Sequence, residues 1–213
     1  MIDFVREERL LSPSFVKELH AALTRTQQTY EVVDVSGRPE SLPLQHGAWK
    51  TLPNQVTLKS GTVCECSPPE QVASEMDRLI SLYEELERSP VIHPIVKAAW
   101  LHHRFVQIHP FSDGNGRVAR ALTLLVLEKH RYAPLVVDRF HRDAYMAAIQ
   151  AARGGDLAVL VGLFTRLESA ALAGELERPA APVGGTARDV GRSLAAQVAA
   201  LRQRSAGEVS TDE

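Results

Sequence analysis

The chain has 213 residues, of which 45% are hydrophobic and 23% are charged, which suits one globular domain with a full core and some additional tail. Its formal net charge is -2 and its pI is about 6.5, so the composition argues against nucleic acid as the main partner. No apolar run reaches membrane-spanning length, Cys64 and Cys66 are too close in sequence to favour a disulfide, and no signal peptide is recognisable, which together predict a cytoplasmic protein.

Apolar residues recur every three or four positions over most of the chain, which predicts a mainly α-helical fold. A first helix is predicted after Ser12, which has the features of an N-cap and is followed by Pro13 in the first turn. Residues 30–49 contain scattered glycine and proline and are predicted to form an irregular, partly extended connection. The runs 55–58 and 62–64 favour β-structure on either side of a glycine turn, so a β-hairpin or an ordered loop is expected there.

The central part of the chain is also predicted to be helical. Ser67 and Glu70 have the spacing of a capping box, and the helix that they introduce should continue to Leu86. Another helix is predicted over residues 94–106. The run 117–130 is almost wholly apolar in its middle, which predicts a buried central helix.

Two further helices and a tail complete the predicted organisation. Asp138 and Asp156 are the expected N-caps of these helices, and Gly154 and Gly155 should end the first of them. The expected divisions are a helical domain, a linker, an amphipathic C-terminal helix and a disordered tail, over residues 1–177 (core about 67–170), 178–187, 188–204 and 205–213.

Residues 109–120 carry the clearest functional signal, with the sequence His-Pro-Phe-Ser-Asp-Gly-Asn-Gly-Arg-Val-Ala-Arg. Two glycines flank Asn115 directly before the predicted central helix, where backbone N–H groups can converge on an anion. Arg117 and Arg120 share one face of the first helical turns, where cations oppose the helix dipole. A bound polyphosphate would explain why two arginines are placed there.

Two neighbouring residues could supply the remaining chemistry. Asp113 is a hard oxygen donor beside the glycines, and Mg²⁺ is commonly held by one or two carboxylates together with substrate phosphates. His109, with a pKa near neutrality, could remove a proton from an incoming hydroxyl, while Phe111 should anchor the loop in the core. The combination predicts nucleotidyl or phosphoryl transfer.

Each of these features has a structural explanation when it is taken alone. A histidine before proline is usually structural, Asp-Gly-Asn-Gly usually forms a turn or part of a calcium loop, and arginine pairs are usually solvated. An EF-hand calcium loop also needs a glutamate and alternating oxygen ligands, a pattern that Arg117 breaks. His102 and His103 are expected to pack in the core, because a metal phosphohydrolase would need a His-Asp dipeptide, which the sequence lacks.

The run HPFSDGNGR at residues 109–117 resembles the signature of Fic proteins, His-Pro-Phe-x-Asp/Glu-Gly-Asn-Gly/Lys-Arg, at every specified position. The similarity extends to residues 101–108, to the helix start at 67–70 and to the Gly-Gly-Asp at 154–156, and it covers roughly residues 10–175. It implies a Fic-type helical bundle around a buried central helix, with a small β-hairpin flap.

The resemblance implies a protein adenylyltransferase that moves AMP from ATP to a Ser, Thr or Tyr hydroxyl of a target protein, with Mg²⁺ as the cofactor. His109 would be the general base and Asp113 the Mg²⁺ ligand. Arg117 would contact the α- and β-phosphates, and Arg120 would contact the γ-phosphate. The implied nucleotide-binding residues are Asp113, Gly114, Asn115, Gly116, Arg117, Val118, Ala119, Arg120 and Tyr145.

The resemblance also implies a docking site and a choice of transferred group. The implied flap, residues 55–66, would dock the target segment by strand addition through Gly61, Thr62, Val63 and Cys64. Gly116 stands where the phosphorylating Doc branch has lysine, which favours transfer of AMP over phosphate. At Met146 and Arg153 the sequence differs from the tyrosine and asparagine that some members carry.

The resemblance leaves both the control and the transferred group open. Many relatives carry an inhibitory Ser/Thr-x-x-x-Glu-Gly/Asn helix, whereas no glutamate of this sequence precedes Gly or Asn. The alternatives are a separate antitoxin-like chain, an inhibitory segment upstream of the given sequence, or no inhibition. The alternative functions are transfer of UMP, phosphate or phosphocholine, and a catalytically silent nucleotide-binding interaction module. The helix at 188–204 suits internal packing or a homodimer.

Overall fold

Helices form most of the part of the chain that the structure describes. This computed structural model describes residues 10–33, 37–57, 61 and 63–173. The helices are α1 (Pro13–Thr24), α2 (Val72–Arg88), α3 (Pro94–Ile108), α4 (Asn115–Lys129), α5 (Arg142–Arg153) and α6 (Leu157–Ala173). The strands are β1 (Thr29–Val33), β2 (Pro39–Pro43), β3 (Gln55–Thr57) and β4 (Val63–Glu65), and a 3₁₀ turn (Pro69–Gln71) precedes α2. The prediction of a mainly α-helical fold is confirmed.

The central helix of the bundle is α4, which packs against α3 and α1. Its apolar middle is buried as predicted, through Ala121, Leu122, Leu125, Val126 and Leu127. Around it, α3 packs on α2 and α6, and α6 packs on α5. Because each large aliphatic side chain removed from water contributes about 1.5–3 kcal/mol, this burial fixes α4 and, with it, the loop that enters its first turn.

Glu87, in the last turn of α2, contacts several basic side chains at one end of the bundle. Its carboxylate lies 2.9 Å from Lys129 Nζ and 3.0 Å from His130 Nε2. The buried Lys97 Nζ lies 3.7 Å away, and the hydroxyl of Tyr83 donates to Glu87 at 3.2 Å. Burial raises the pKa of Glu87, but the hydrogen bonds from Lys129 and His130 outweigh it and hold this pKa below its ordinary value. The cluster therefore ties the end of α4 and the start of α3 to α2.

The connection after α1 is more regular than the predicted irregular segment over residues 30–49. Strand β1 pairs antiparallel with β2, with Thr29 opposite Pro43 and Val33 opposite Pro39. Proline is tolerated there because each strand of a two-stranded sheet is an edge, so a missing N–H leaves the ladder intact. The prolines that suggested irregular structure thus lie at the two ends of β2. The β-favouring residues of β1 indicate the observed strand more reliably than the prolines do.

The predicted hairpin over residues 55–66 is confirmed. Strand β3 pairs antiparallel with β4, with Val56 opposite Cys64 and Thr57 opposite Val63. Gly61 has a φ of 82°, in the left-handed region that favours glycine, as expected for the turn. Residues 58–60 and Thr62 lie outside the described residues.

The predicted N-cap of α1 is confirmed, whereas the predicted capping box before α2 is wrong. Ser12 Oγ accepts a hydrogen bond from the N–H of Phe15 at 3.2 Å. Before α2, Pro68 is the N-cap of the 3₁₀ turn and makes no side-chain cap bond. The N–H of Gln71 donates to the carbonyl of Pro68 at 3.0 Å, so a tight turn replaces the box. The reason is that a proline disfavours helical geometry in the residue before it, so Pro68 stays extended and Ser67 lies one residue too early to be the N-cap.

The cap of α6 is confirmed, and the predicted cap of α5 is wrong. Asp156 Oδ1 accepts from the N–H of Ala158 at 3.0 Å, and Gly155, with a φ of 98°, ends the preceding helix as predicted. Asp138 instead closes a turn ahead of α5, accepting from the N–H groups of Phe140 at 2.9 Å and His141 at 3.1 Å. Asp138 lies three residues before His141, which is the N-cap of α5, so its carboxylate does not cap the helix.

The predicted linker at 178–187, the helix at 188–204 and the tail at 205–213 lie outside the described residues. Within the described ranges, no helix combines the length and the apolar character needed to cross a membrane.

Candidate active site

His109 ends α3 in an unusual backbone conformation. Its φ of 52° and ψ of 59° lie in the left-handed region, which a residue with a side chain adopts only where its surroundings impose it. The N–H of His109 still closes the last helical turn by donating to the carbonyl of Phe105 at 2.9 Å. The chain therefore turns sharply at the predicted general base.

Lys50 and Asn54 hold this turn by bonding four consecutive carbonyls, an arrangement that we name the carbonyl clamp. The Nζ of Lys50 donates to the carbonyl of Ile108 at 3.4 Å, and its backbone N–H donates to the carbonyl of Pro110 at 2.8 Å. The Nδ2 of Asn54 donates to the carbonyls of His109 at 3.3 Å and Phe111 at 2.9 Å. Lys50 Nζ also donates to Asn54 Oδ1 at 2.5 Å, which links the two arms of the clamp.

The imidazole of His109 is poised as a neutral base. Its Nδ1 lies 3.3 Å from the carbonyl of Val106 and must carry the proton there, which leaves the Nε2 lone pair free. Burial, helped by the nearby charges of Lys50 and Arg153, lowers the pKa of His109 to about 4, although the carbonyl of Val106 and the carboxylate of Asp113 act to raise it. The ring is therefore unprotonated at neutral pH.

Asn115 closes the loop upon itself. Its Oδ1 accepts from the N–H of Phe111 at 2.9 Å, and its Nδ2 donates to the carbonyl of Phe111 at 2.7 Å. The side chain is buried, so its predicted place in the phosphate-binding loop is one of holding the loop's shape. Val118 and Ala119 are also fully buried, so neither exposes a side chain to a ligand.

His20, on α1, supports the loop from beneath. Its Nδ1 accepts from the N–H of Gly47 at 2.9 Å, so its Nε2 carries the proton and donates to the carbonyl of Asp113 at 3.1 Å. Burial lowers the pKa of His20, which keeps the ring neutral. Gly114 lies against it with a φ of 78°, and a Cβ there would be 2.9 Å from Thr24 Cγ2. Only glycine fits this position.

Asp113 and Arg117 lie at the open side of the loop. Asp113 Oδ1 accepts from the N–H of Gly114 at 2.6 Å, and its Oδ2 accepts from Gln27 Nε2 at 2.6 Å. Arg117 donates to the carbonyl of Leu23 at 3.3 Å and to Gln27 Oε1, and lies 3.6 Å from Asp113 Oδ2. Partial burial raises the pKa of Asp113, but the bonds from Gln27 and Gly114 outweigh it, so the pKa lies below its ordinary value. The carboxylate is therefore ionised at neutral pH.

Arg120 is exposed and begins a chain of hydrogen bonds that runs into the core. Its guanidinium lies within hydrogen-bonding reach of the Tyr145 hydroxyl, which is 2.8 Å from His102 Nε2. His102 Nδ1 is 2.9 Å from Thr123 Oγ1, which in turn donates to the carbonyl of Ala119 at 2.9 Å. The ring of Tyr145 is thus buried, and His102 has the structural role that the sequence predicted.

The flap hairpin is joined to the end of α5 by Arg153. Its Nη1 donates to the carbonyl of Glu65 at 3.5 Å, while its Nη2 is buried and has no hydrogen-bond partner among the described residues. Val63 and Gly61 are exposed and Cys64 is half-buried, whereas Thr62 lies outside the described residues.

The structure places the motif residues on the loop before α4 and on the first turns of that helix, whereas Tyr145 lies on α5 and the flap residues lie on the hairpin of β3 and β4. It also adds four residues that the sequence did not reveal. These four are His20, Gln27, Lys50 and Asn54. They lie far from the motif in sequence and form no motif of their own, so no local signal could have identified them.

The chain is similar in sequence to proteins of a known family. The sequence model of the Fic/DOC family matches residues 10–127. A protein adenylyltransferase Fic of Culex quinquefasciatus is 38% identical over 86 residues, which are 39% of this chain and 17% of that protein. One of Aedes aegypti is 42% identical over 67 residues, which are 32% of this chain and 13% of that protein. The matches thus span less than a fifth of the length of these relatives.

Solved structures share the fold at low sequence identity. A Fic domain containing signaling protein of Bacteroides thetaiotaomicron has a TM-score of 0.63 at 23% identity, over 86% of this chain and 72% of that chain. Fic-1 of Caenorhabditis elegans has a TM-score of 0.62 at 24% identity, over 81% of this chain and 47% of that chain. The predicted Fic-type bundle is confirmed by these neighbours. Because the family model matches more than half of the 213 residues, the chain belongs to the Fic/DOC family.

Proposed function

We propose that this protein is an adenylyltransferase that moves AMP from Mg²⁺-ATP to a Ser, Thr or Tyr hydroxyl of a target protein. The observation that carries the proposal is the state of His109, a neutral imidazole whose Nδ1 is tied to Val106 and whose Nε2 is free. The same loop carries an ionised carboxylate at Asp113 and a guanidinium at Arg117. The protein adenylyltransferases named above support this choice of reaction.

The donor set at Asp113 fits Mg²⁺. Within the described residues, no three His, Cys, Asp or Glu side chains are grouped closely enough to hold a metal ion by themselves. A single ionised carboxylate suits a cation that takes its other ligands from water and substrate phosphates, as Mg²⁺ commonly does. Asp113 would hold the ion, which when bound supplies charge neutralisation to the phosphates.

The residues of the chain divide the work of the transfer. His109 Nε2 accepts the proton of the target hydroxyl as its oxygen bonds to the α-phosphorus. The bond between the α-phosphorus and the bridging oxygen breaks, and pyrophosphate leaves with the electron pair. Arg117 and Arg120 stabilise the charge of the phosphates, and the glycines 114 and 116 let the backbone approach them.

Label transfer tests the proposal. Protein, Mg²⁺ and α-labelled ATP are incubated in cell lysate, and modified proteins are identified by mass spectrometry. We expect AMP transfer by the wild type, loss of transfer in His109→Ala, and no effect of His141→Ala, which removes a histidine outside the site. AMP transfer that survives in His109→Ala would overturn the catalytic assignment. Preferential transfer from UTP or CDP-choline would replace AMP by another group.

Three expectations from the sequence stay predictions: a separate inhibitory chain, a homodimer and a cytoplasmic location. Co-purification with proteins of the same cell and light scattering of the purified chain would test the first two.

A further inference from the structure

Gln27, in the connection between α1 and β1, joins the two charged groups of the proposed nucleotide site. Its Nε2 donates to Asp113 Oδ2 at 2.6 Å, and its Oε1 accepts from Arg117 Nη2. Asp113 and Arg117 themselves lie 3.6 Å apart, with 46% and 36% of their side chains exposed. One amide therefore contacts both the proposed metal ligand and a proposed phosphate ligand.

The orientation of the Gln27 amide is determined by its neighbours. Its Nε2 also donates to the carbonyl of Thr29 at 3.0 Å, so both N–H groups meet acceptors while the oxygen meets a donor. A flipped amide would set its oxygen against the Asp113 carboxylate and its N–H groups against the Arg117 guanidinium. The backbone of Gln27 is fixed too, since its N–H donates to Thr24 at 2.8 Å. The side chain is thus held in one conformation before any ligand binds.

The contacts of Gln27 leave both charged groups able to bind a ligand. Each oxygen of Asp113 has accepted one hydrogen bond and retains a further lone pair. Arg117 uses one N–H toward Leu23 and one toward Gln27, and a guanidinium has five in all. The remaining N–H groups can therefore meet phosphate oxygens without displacing the amide.

Without the amide, the two charges would meet each other. Asp113 precedes α4 and Arg117 lies in its first turn, and their charged atoms are 3.6 Å apart, so a small side-chain movement would let the carboxylate and the guanidinium form a direct two-bond pair. Such a pair would occupy the lone pairs and N–H groups that Mg²⁺ and phosphate need. The Gln27 amide takes up that space and bonds each partner separately, which keeps the pair at 3.6 Å.

We infer that Gln27 is a positioning residue for Mg²⁺-ATP, which acts by keeping the Asp113–Arg117 ion pair at 3.6 Å from closing into a direct two-bond hydrogen-bonded pair. The inference rests on the proposed function, since it concerns the same site. Partners of metal ligands in other proteins, when removed, commonly weaken metal binding about ten- to a hundredfold. Gln27 differs from the site residues of the motif in lying 86 residues before Asp113.

The test uses the matched pair Gln27→Met and Gln28→Met, because methionine keeps the length of glutamine and the side chain of Gln28 is exposed. Isothermal titration calorimetry measures the binding of a non-hydrolysable ATP analogue with and without Mg²⁺, and thermal unfolding is measured without ligand. For Gln27→Met we expect affinity with Mg²⁺ to fall at least about tenfold, with a smaller loss without Mg²⁺ and a melting temperature near that of Gln28→Met. Gln27→Ala serves as the second variant if Gln27→Met does not fold.

A double-mutant cycle with Asp113→Asn tests whether Gln27 acts through the carboxylate. In that background, Gln27→Met should change Mg²⁺-dependent binding less than it does in the wild type. If the wild type binds Mg²⁺ and the analogue, and Gln27→Met binds them equally well, the inference is overturned. The proposed function is not affected by that result. A folded variant whose loss of binding is the same with and without Mg²⁺ would also overturn the inference. A wild type that does not bind Mg²⁺ and the analogue would overturn both.

Discussion

The imidazole of His20 lies flat against the ring of Phe111, with the ring centroids 3.8 Å apart and the planes 8° from parallel. The same imidazole bonds Gly47 on one side and Asp113 on the other. Helix α1 therefore contacts the site loop through an aromatic face and one directed hydrogen bond, while a second hydrogen bond joins the same ring to Gly47. A second proton on this ring would oppose the N–H of Gly47, so the arrangement requires neutral His20.

The buried histidines predict a loss of stability in mild acid. Burial lowers the pKa of His102 to about 3 and of His103 and His109 to about 4, each from 6.5. Below pH 6.5 the unfolded chain binds protons that the folded chain does not, so stability is present above this pH and is lost as the pH falls. Each histidine should cost about 1.4 kcal/mol per pH unit until its folded pKa is reached.

Urea unfolding at a series of pH values from 7.5 to 4.5 measures this loss. His102→Gln should flatten the slope by about one proton, because it removes one of the groups concerned. A free energy of unfolding that stays level between these pH values would contradict the prediction.

Gly114→Ala should cost more stability than Gly37→Ala, although the two glycines have the same φ of 78°. A Cβ at Gly114 would lie 2.9 Å from Thr24 Cγ2 and 3.1 Å from His20 Nε2, whereas a Cβ at Gly37 would meet nothing within 4 Å. We expect a loss of about 1 kcal/mol for Gly37→Ala from its backbone conformation alone. For Gly114→Ala we expect about 1–3 kcal/mol more, from the contacts with α1. Equal losses in urea unfolding would show that the loop moves away without cost.

Lys50→Met should release the turn at His109. The change removes the Nζ bonds to Ile108 and Asn54 and a buried positive charge that lowers the pKa of His109. We expect the pKa of His109 to rise, as measured by NMR titration, and transfer to fall about tenfold to a hundredfold through misplacement of the base. Lys129→Met, which removes a lysine far from the loop, should leave this pKa unchanged. An unchanged pKa in Lys50→Met would contradict the proposed electrostatic contact.

Glu87→Gln should destabilise the fold far more than Glu84→Gln. Glu87 faces the buried Lys97 as well as Lys129 and His130, whereas Glu84 pairs with Arg88 at 3.3 Å on the surface. Removing one partner of a buried cluster leaves a charge unpaired, at about 3 kcal/mol or more. The surface pair should contribute at most about 0.5 kcal/mol. Urea unfolding measures the loss in the free energy of unfolding for both variants. Similar losses would contradict the prediction and show that Lys97 has another partner.

The parts of the fold that depend on residues close together in the sequence could be predicted from it. The apolar middle of α4 and the cap at Ser12 are local patterns, and both are found in the structure. The capping box at Ser67 is absent because Pro69 keeps Pro68 in an extended conformation, so the helical turn begins one residue later than predicted. The pairing of β1 with β2 was missed for a related reason, since proline was taken as a sign of irregular structure.

The site could be predicted only as far as its motif extends. His109, Asp113 and Arg117 stand within nine residues of each other, and their spacing alone indicates a polyphosphate site. The residues that hold them come from elsewhere in the chain, with His20 bonding across 93 residues and Lys50 across 58. Tertiary packing decides such contacts, and no periodic pattern records them. The burial of the Tyr145 ring likewise depends on His102, 43 residues away.

The hydrogen bonds that begin at Arg120 run in one direction. A guanidinium can only donate hydrogen bonds, and Thr123 donates to the carbonyl of Ala119. Each group between them must therefore accept a hydrogen bond on the side of Arg120 and donate one on the side of Thr123. When a ligand draws Arg120 aside, Tyr145 loses one incoming bond but still donates to His102, and the inner links keep their polarity. We therefore expect ligand binding to move one surface side chain and to leave Tyr145, His102 and Thr123 in place.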